Sequence, residues 1–176
     1  MITEQEFKQL AAQGYNRIPL VTETFSDLDT PLSVYLKLAN QPYTYLLESV
    51  QGGERFGRYS FIGLAASARI EVRDRLCSEH HGHVLVQQER RDDPLAFVKN
   101  YLSHFKAASV PGLPRFCGGL AGYFGYDTIC YIESKLAKSI KPDPLQTPDI
   151  LLLLSDQLAV VDNLSGKLYL DRKSVV

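Results

Sequence analysis

The sequence predicts an α+β fold: a largely antiparallel β-sheet or sandwich with a few flanking helices. Three observations carry that reading. Extended segments outnumber helical ones along the chain. Successive extended segments are separated by short turn signals, such as His80-His81-Gly82-His83 and Leu164-Ser165-Gly166, and that spacing is a hairpin signature. A chain of 176 residues, 45% hydrophobic and 22% charged, has the composition of an ordinary globular domain. At that length it buries roughly 70% of its unfolded surface and needs no staple.

The elements follow in order. Thr3 and Glu6 form a T-x-x-E capping box for a first helix, in which Phe7, Leu10 and Ala11 share a face and Gly14 is the stop. Arg17 to Val21 is extended, and Pro19 marks it as an edge because proline has no amide to give a neighbour. Thr30-Pro31 starts a second helix whose apolar face is Leu32, Tyr35, Leu36 and Ala39, ended by Asn40 and Pro42. Tyr43 to Ser49 is a strand that enters a Gly52-Gly53 turn, and Arg58 to Gly63 resumes extended structure. Ala68 to Arg73 alternates as a half-buried strand does. The histidine-rich tip precedes Val84-Leu85-Val86. Asp93-Pro94 opens a third helix with Leu95, Val98, Tyr101, Leu102 and Phe105 in helical register.

Beyond the Pro111/Pro114 loop, the glycines of Phe116 to Asp127 suit a strand lying close against another backbone. A short helical stretch is expected near 128–137. Asp149 to Asp162 and Leu168 to Leu170 read as two strands joined by a turn. The chain stops just past that last strand, Asp171 to Val176, with no cap to finish the sheet. The expectation is a single domain, residues 1–176, cut from a longer polypeptide, with an exposed final strand prone to pair aberrantly.

Charge and cysteines narrow the function classes. Nineteen basic against twenty acidic residues leave a net charge of −1, without the basic excess that nucleic acid favours. No apolar stretch approaches the ~18 residues of a membrane span. The acidic, polar start MITEQEF is unlike a signal peptide. Cys77, Cys117 and Cys130 are odd in number and lack CxxC spacing, so reduced thiols and a cytoplasmic setting are expected.

Most chemical constellations dissolve on inspection. His80, His81 and His83 lack the partners and spacing of a metal site, and a solvated hairpin tip is the plain reading. Gly119, Gly122 and Gly125 invite a phosphate-loop reading, but no Gly-Lys-Ser/Thr follows, so they read as packing glycines. No nucleophile–base pair or catalytic carboxylate pair stands out, and neither a catalytic residue nor a metal ligand is expected. The stretch Leu47-Glu48-Ser49, before the Gly-rich turn, differs in kind. It delivers a carboxylate and a hydroxyl to a loop mouth, where an ammonium and a carboxylate can be held. The alternative is a strand end with two solvated polar residues.

The motifs LLES, GGERFGRYSFIG, GGLAGYFGYD and PDILLLL…VVDN, with the DTPLSVYLKL helix, resemble the N-terminal domain of anthranilate synthase component I. Aminodeoxychorismate synthase component I is a close relative. The resemblance implies one half of the chorismate-utilising enzyme architecture. It implies a full-length lyase that makes anthranilate and pyruvate from chorismate in tryptophan biosynthesis, with Mg2+ held by a C-terminal chorismate-binding domain outside this chain. It further implies ammonia from a glutamine amidotransferase subunit, component II. This portion would then be inactive alone, hold no cofactor and contribute feedback inhibition by L-tryptophan. The inhibitor-contacting serine maps to Ser49, with Glu48 and Leu47 beside it and Ser60 or Tyr59 as further contacts. The competing readings are the N-terminal domain of aminodeoxychorismate synthase component I, of the folate pathway, and a purely structural docking module.

Overall fold

The computed structural model describes residues 2–48, 57–114, 116–133, 135–136 and 143–175. The chain divides into two compact units. One comprises Met1–Ala66, Phe105–Gly119 and Ser155–Val176, the other Ser67–His104 and Leu120–Leu154. Each is organised around one five-stranded sheet.

The first unit opens with α1 (Glu4–Ala12), where the Thr3/Glu6 box forms in both directions: the Glu6 amide donates to Thr3 Oγ1 at 3.2 Å, and the Thr3 amide to Glu6 Oε2 at 2.7 Å. β1 (Arg17–Phe25) follows, and Pro19 does sit on an edge strand. α2 (Pro31–Leu38) is capped by Thr30 with Pro31 in its first turn. β2 (Tyr45–Leu47), β3 (Tyr59–Gly63), β9 (Gln157–Asp162) and β10 (Lys167–Val175) complete a sheet of order β1-β10-β9-β3-β2.

Its pairing corrects the expectation of an exposed last strand. β10 lies between β1, paired from Arg17↔Val175 to Phe25↔Lys167, and β9, paired from Lys167↔Asp162 to Arg172↔Gln157. The chain's first strand therefore covers its last, a long-range pairing that no local pattern announces. Side chains alternate between faces. On one face Ile62, Ala159 and Val161 pack with Val34 and Ala39 of α2. The register places Tyr59, Phe61, Leu158, Val160, Tyr169, Asp171 and Lys173 on the other. Burying a side chain the size of Ile62 completely contributes about 2–3 kcal/mol.

The helix face also differs from expectation. Val34 and Ala39 are buried and Tyr35 packs beside them, but Leu32 and Leu36 remain 53% and 55% exposed. Six of the eight residues in PLSVYLKL are apolar or aromatic around the whole circumference, so periodicity could not choose the side that docks.

The second unit contains β4 (Ala68–Arg73), β5 (Leu76–His81), β6 (Val84–Arg90), α3 (Pro94–Ser103), β7 (Gly119–Phe124), a 3-10 helix (Tyr126–Tyr131) and β8 (Ile150–Ser155). Gly119 is the last residue of the first unit's middle segment and Ser155 the first of its final segment. The sheet runs β6-β5-β4-β8-β7. Ile70, Val72, Cys77, Val98, Ile150 and Leu152 form its core. β4 alternates as expected, and Gly82-His83 forms the turn of the β5–β6 hairpin. Asp93 Oδ1 accepts the Ala96 amide at 3.0 Å and caps α3. Leu102, expected inward, is 42% exposed. Phe105 falls beyond the helix in the first unit, where the Arg17 guanidinium stands 4.5 Å over its ring.

The Asp149–Asp162 run, expected as one strand, is two. It breaks at Asp156: β8 is an interior strand of the second sheet and β9 of the first. Both halves are apolar on both faces, so composition alone does not show the break. The helical stretch begins at Tyr126 and is 3-10, not α. A Cβ at Gly122 would stand 2.0 Å from the Leu151 carbonyl oxygen, so the close-approach reading holds there, whereas Gly119 faces open space. No described helix is long and apolar enough to cross a membrane.

Candidate functional site: the mouth of the β2–β3 loop

β2 pairs with β3 through Tyr45↔Gly63, Leu46↔Ile62 and Leu47↔Phe61. Leu47, at the end of β2, is 53% exposed, and Glu48 beyond it is exposed. Ser49 and the Gly52-Gly53 turn lie outside the described residues. The returning side is firmly held. Arg58 donates to both carboxylate oxygens of Asp162, Nε to Oδ1 at 3.0 Å and Nη2 to Oδ2 at 2.7 Å. Asp162 is fully buried and also accepts the amides of Leu164 and Ser165 at 3.1 and 3.4 Å. The Arg58 guanidinium and these amides outweigh burial and hold its carboxyl down at about 2.

The adjacent residue completes the clamp. The Asn163 amide donates to the Arg58 carbonyl at 2.7 Å, and its side-chain Nδ2 reaches Ser60 Oγ at 3.1 Å and the Gly57 carbonyl at 3.3 Å. Thus the β9–β10 turn fixes the point at which the loop re-enters the sheet. Loops carried on such rigid ends are where ligand contacts concentrate.

The predicted residues separate on this frame. Leu47 and Tyr59 fall on one face of the sheet, by the Leu47↔Phe61 pair and the alternation from Phe61 to Tyr59. Tyr59 lies under the Arg58 guanidinium, 4.9 Å from its ring centroid, with Phe61 at 6.2 Å. Ser60 points to the α2 face, is completely buried, and its hydroxyl already accepts from Asn163. Neighbours on a strand cannot both face one pocket, so the geometry brings Leu47 and Tyr59 together and excludes Ser60 from their side. Sequence reasoning missed Arg58, Asp162 and Asn163. Their one signal is a charged residue ending an apolar run, VVDN, where an acid is costly unless paired.

Two other features belong to the same unit. At the far end of the sheet, Lys173 Nζ donates to Asp171 Oδ2 at 2.7 Å, both residues being buried. A recess of about 370 Å³ is lined by Pro19, Val21, Glu23, Tyr169 and the Val110–Leu113 segment, and touches none of Leu47, Glu48, Tyr59 and Ser60. Cys77, Cys117 and Cys130 are free thiols, and burial pushes Cys77 up to about 11. Among the described residues no group of three His, Cys, Asp or Glu side chains could hold a metal ion.

No protein-family model matches the chain. Curated proteins do. Anthranilate synthase component 1 from Neisseria meningitidis serogroup C is 58% identical over 97% of this chain and 35% of its own length. Its counterpart from Pseudomonas putida is 55% identical over 96% of the chain and 34% of its own. That from Aquifex aeolicus is 41% identical over 93% and 33%. A crystal structure of anthranilate synthase component I from Streptococcus pneumoniae has the same fold over 86% of this chain and 31% of that one, with a TM-score of 0.51 at 24% identity. The chain spans about a third of the length of the curated relatives it matches.

Proposed function

We propose that this chain, similar over nearly all its length to anthranilate synthase component 1, is the N-terminal regulatory part of such an enzyme. The observation that carries the reading is 58% identity across 97% of the chain. In the whole protein, chorismate and ammonia from a glutamine amidotransferase give anthranilate and pyruvate. The chemistry, with Mg2+, belongs to the C-terminal chorismate-binding part, and the setting is the cytoplasm. Residues 1–176 act as one regulatory region and are catalytically silent alone.

The regulatory ligand is L-tryptophan, held at the β2–β3 loop. An indole with an ammonium and a carboxylate needs an apolar wall and polar partners at one end, or its desolvation goes uncompensated. Leu47 and Tyr59 supply apolar surface on one face, and Glu48 and Ser49 the polar groups. Ser60 acts indirectly, by anchoring Asn163 and so the loop's return. Swinging a two-state equilibrium from 1:99 to 99:1 takes about 10⁴-fold preferential binding. A half-pocket does not supply that, so the remaining walls come from the rest of the protein.

The test is Ser49→Ala in the intact, full-length enzyme. Turnover should stay within about twofold, while the tryptophan concentration for half inhibition should rise about tenfold, the worth of one lost polar contact. Unchanged inhibition would overturn the assignment of the loop.

A further inference from the structure

Asp171 and Lys173 sit two residues apart on one face of β10, and both are more than nine-tenths buried. Lys173 Nζ donates to Asp171 Oδ2, but the other oxygen, Oδ1, has no hydrogen-bond partner among the described residues. The surroundings are mostly apolar. Val21 faces Asp171 from β1, flanked by Pro19 and Glu23, and Leu158 faces it from β9. On β10 itself Tyr169 shares the face. Glu23 is engaged by Lys167 at 2.6 Å.

The fourth side is a strap, Phe116-Cys117-Gly118. Phe116 meets Phe61 edge-on at 5.5 Å. Gly118 is pressed into the corner: a Cβ there would stand 2.4 Å from the Ser155 carbonyl oxygen and 3.0 Å from Lys173 Cε. The Lys173 amide donates to the Asp156 carbonyl at 2.8 Å, tying β10 to the same corner. Cys117 Sγ donates to the Pro114 carbonyl at 2.7 Å, and burial pushes both its thiol and the Tyr169 phenol up.

We propose that the buried Asp171–Lys173 pair and the Gly118 strap packed on it form a proton-tightened latch at this corner of the first unit. A charged carboxylate with one unmet oxygen is poorly accommodated in an apolar corner, and a neutral one is better accommodated. Releasing the strap lets water reach the carboxylate, which returns it towards its ordinary behaviour. The proton therefore binds the closed form more tightly than the open form. Burial raises Asp171 above the ordinary aspartate range, against the lowering effects of Lys173 and the nearby Leu20 amide, which agrees with this direction. By linkage, each unit by which the closed-form pKa exceeds the open-form one suppresses opening tenfold on acidification.

Amide hydrogen exchange on this chain, corrected for the intrinsic effect of pH, tests it. From about pH 7 to about pH 4, towards the ordinary aspartate range, protection of the Cys117, Gly118 and Gly119 amides should rise at least about threefold. The Leu164 and Ser165 amides at the Asp162 turn should not gain. Asp171→Asn should flatten the response, and Lys173→Met, which leaves the carboxylate without its cation, should steepen it. Should Asp171→Asn not fold, the wild-type series against Lys173→Met decides. Protection at 117–119 that is flat or falls with acid, or that keeps its pH response in Asp171→Asn, overturns the latch.

Discussion

Asp162 and Asp171 occupy the same face of the same sheet, on adjacent paired strands, and each is buried with one cationic partner. They nevertheless behave oppositely. Asp162 receives two bonds from Arg58 and two from backbone amides, and its carboxyl is held down at about 2. Asp171 receives one bond from Lys173, leaves an oxygen unmet, and is raised by burial. Burial and ion pairing are common to both, so neither decides the outcome. The number of donors converging on the carboxylate does. Asp162 contributes stability above its unfolded value of 3.8, lost as pH falls towards about 2. Asp171 carries a cost at neutral pH that fades as pH falls through its raised value.

The largest expected effect is at the poorly satisfied pair. Lys173→Met leaves a buried carboxylate with no cation, and should cost about 3 kcal/mol at neutral pH, shrinking on acidification as the acid takes a proton. The double change Asp171→Leu with Lys173→Met removes the problem entirely and should lie within about 1 kcal/mol of wild type. Urea unfolding of wild type, single and double variants at two pH values measures both. A double variant as destabilised as the single one would show that the pair is better satisfied than its geometry indicates.

Next is the well-satisfied acid. Asp162→Ala strands the Leu164 and Ser165 amides and frees Arg58, and should cost about 2 kcal/mol near neutral pH by the same unfolding measurement. The effect is smaller because the Arg58 side chain keeps 40% of its exposure and rehydrates readily. Its cost should also fade with acid, but lower on the pH scale than that of Lys173→Met: the difference from wild type is lost as pH falls from the unfolded value of 3.8 towards about 2, where Asp162 itself loses its charge, whereas Asp171 takes its proton above the ordinary aspartate range. A loss that grows with acid would invert the comparison.

These contrasts also show what the sequence could reveal. The capping box at Thr3, the helix cap at Thr30, the edge proline at Pro19, the alternation of Ala68–Arg73 and the close approach at Gly122 are local, and each was readable from a few neighbouring residues. The clamp was not, because Arg58 and Asp162 are 104 positions apart and meet only through strand pairing. The pairing of β1 with β10 and the switch of sheets at Asp156 are likewise long-range. On α2 an all-round apolar helix left the docking face undetermined. At the candidate site the sequence offered Tyr59 and Ser60 alike, and only the register puts them on opposite faces.

That separation supplies the smallest effect. Ser60 lies on the helix face and is the acceptor for Asn163, whereas Tyr59 lies with Leu47 on the opposite side. Ser60→Ala should therefore cost about 1 kcal/mol through one lost buried hydrogen bond, with Asn163 keeping its contact to the Gly57 carbonyl. Tryptophan sensitivity in the full-length enzyme should change far less than with Ser49→Ala, because the residue braces the loop without facing its ligand. Inhibition assays on the two variants side by side distinguish bracing from contact. A loss of sensitivity in Ser60→Ala matching that of Ser49→Ala, at unchanged stability, would mean that the ligand approaches from the helix face and that Leu47 and Tyr59 line the wrong side.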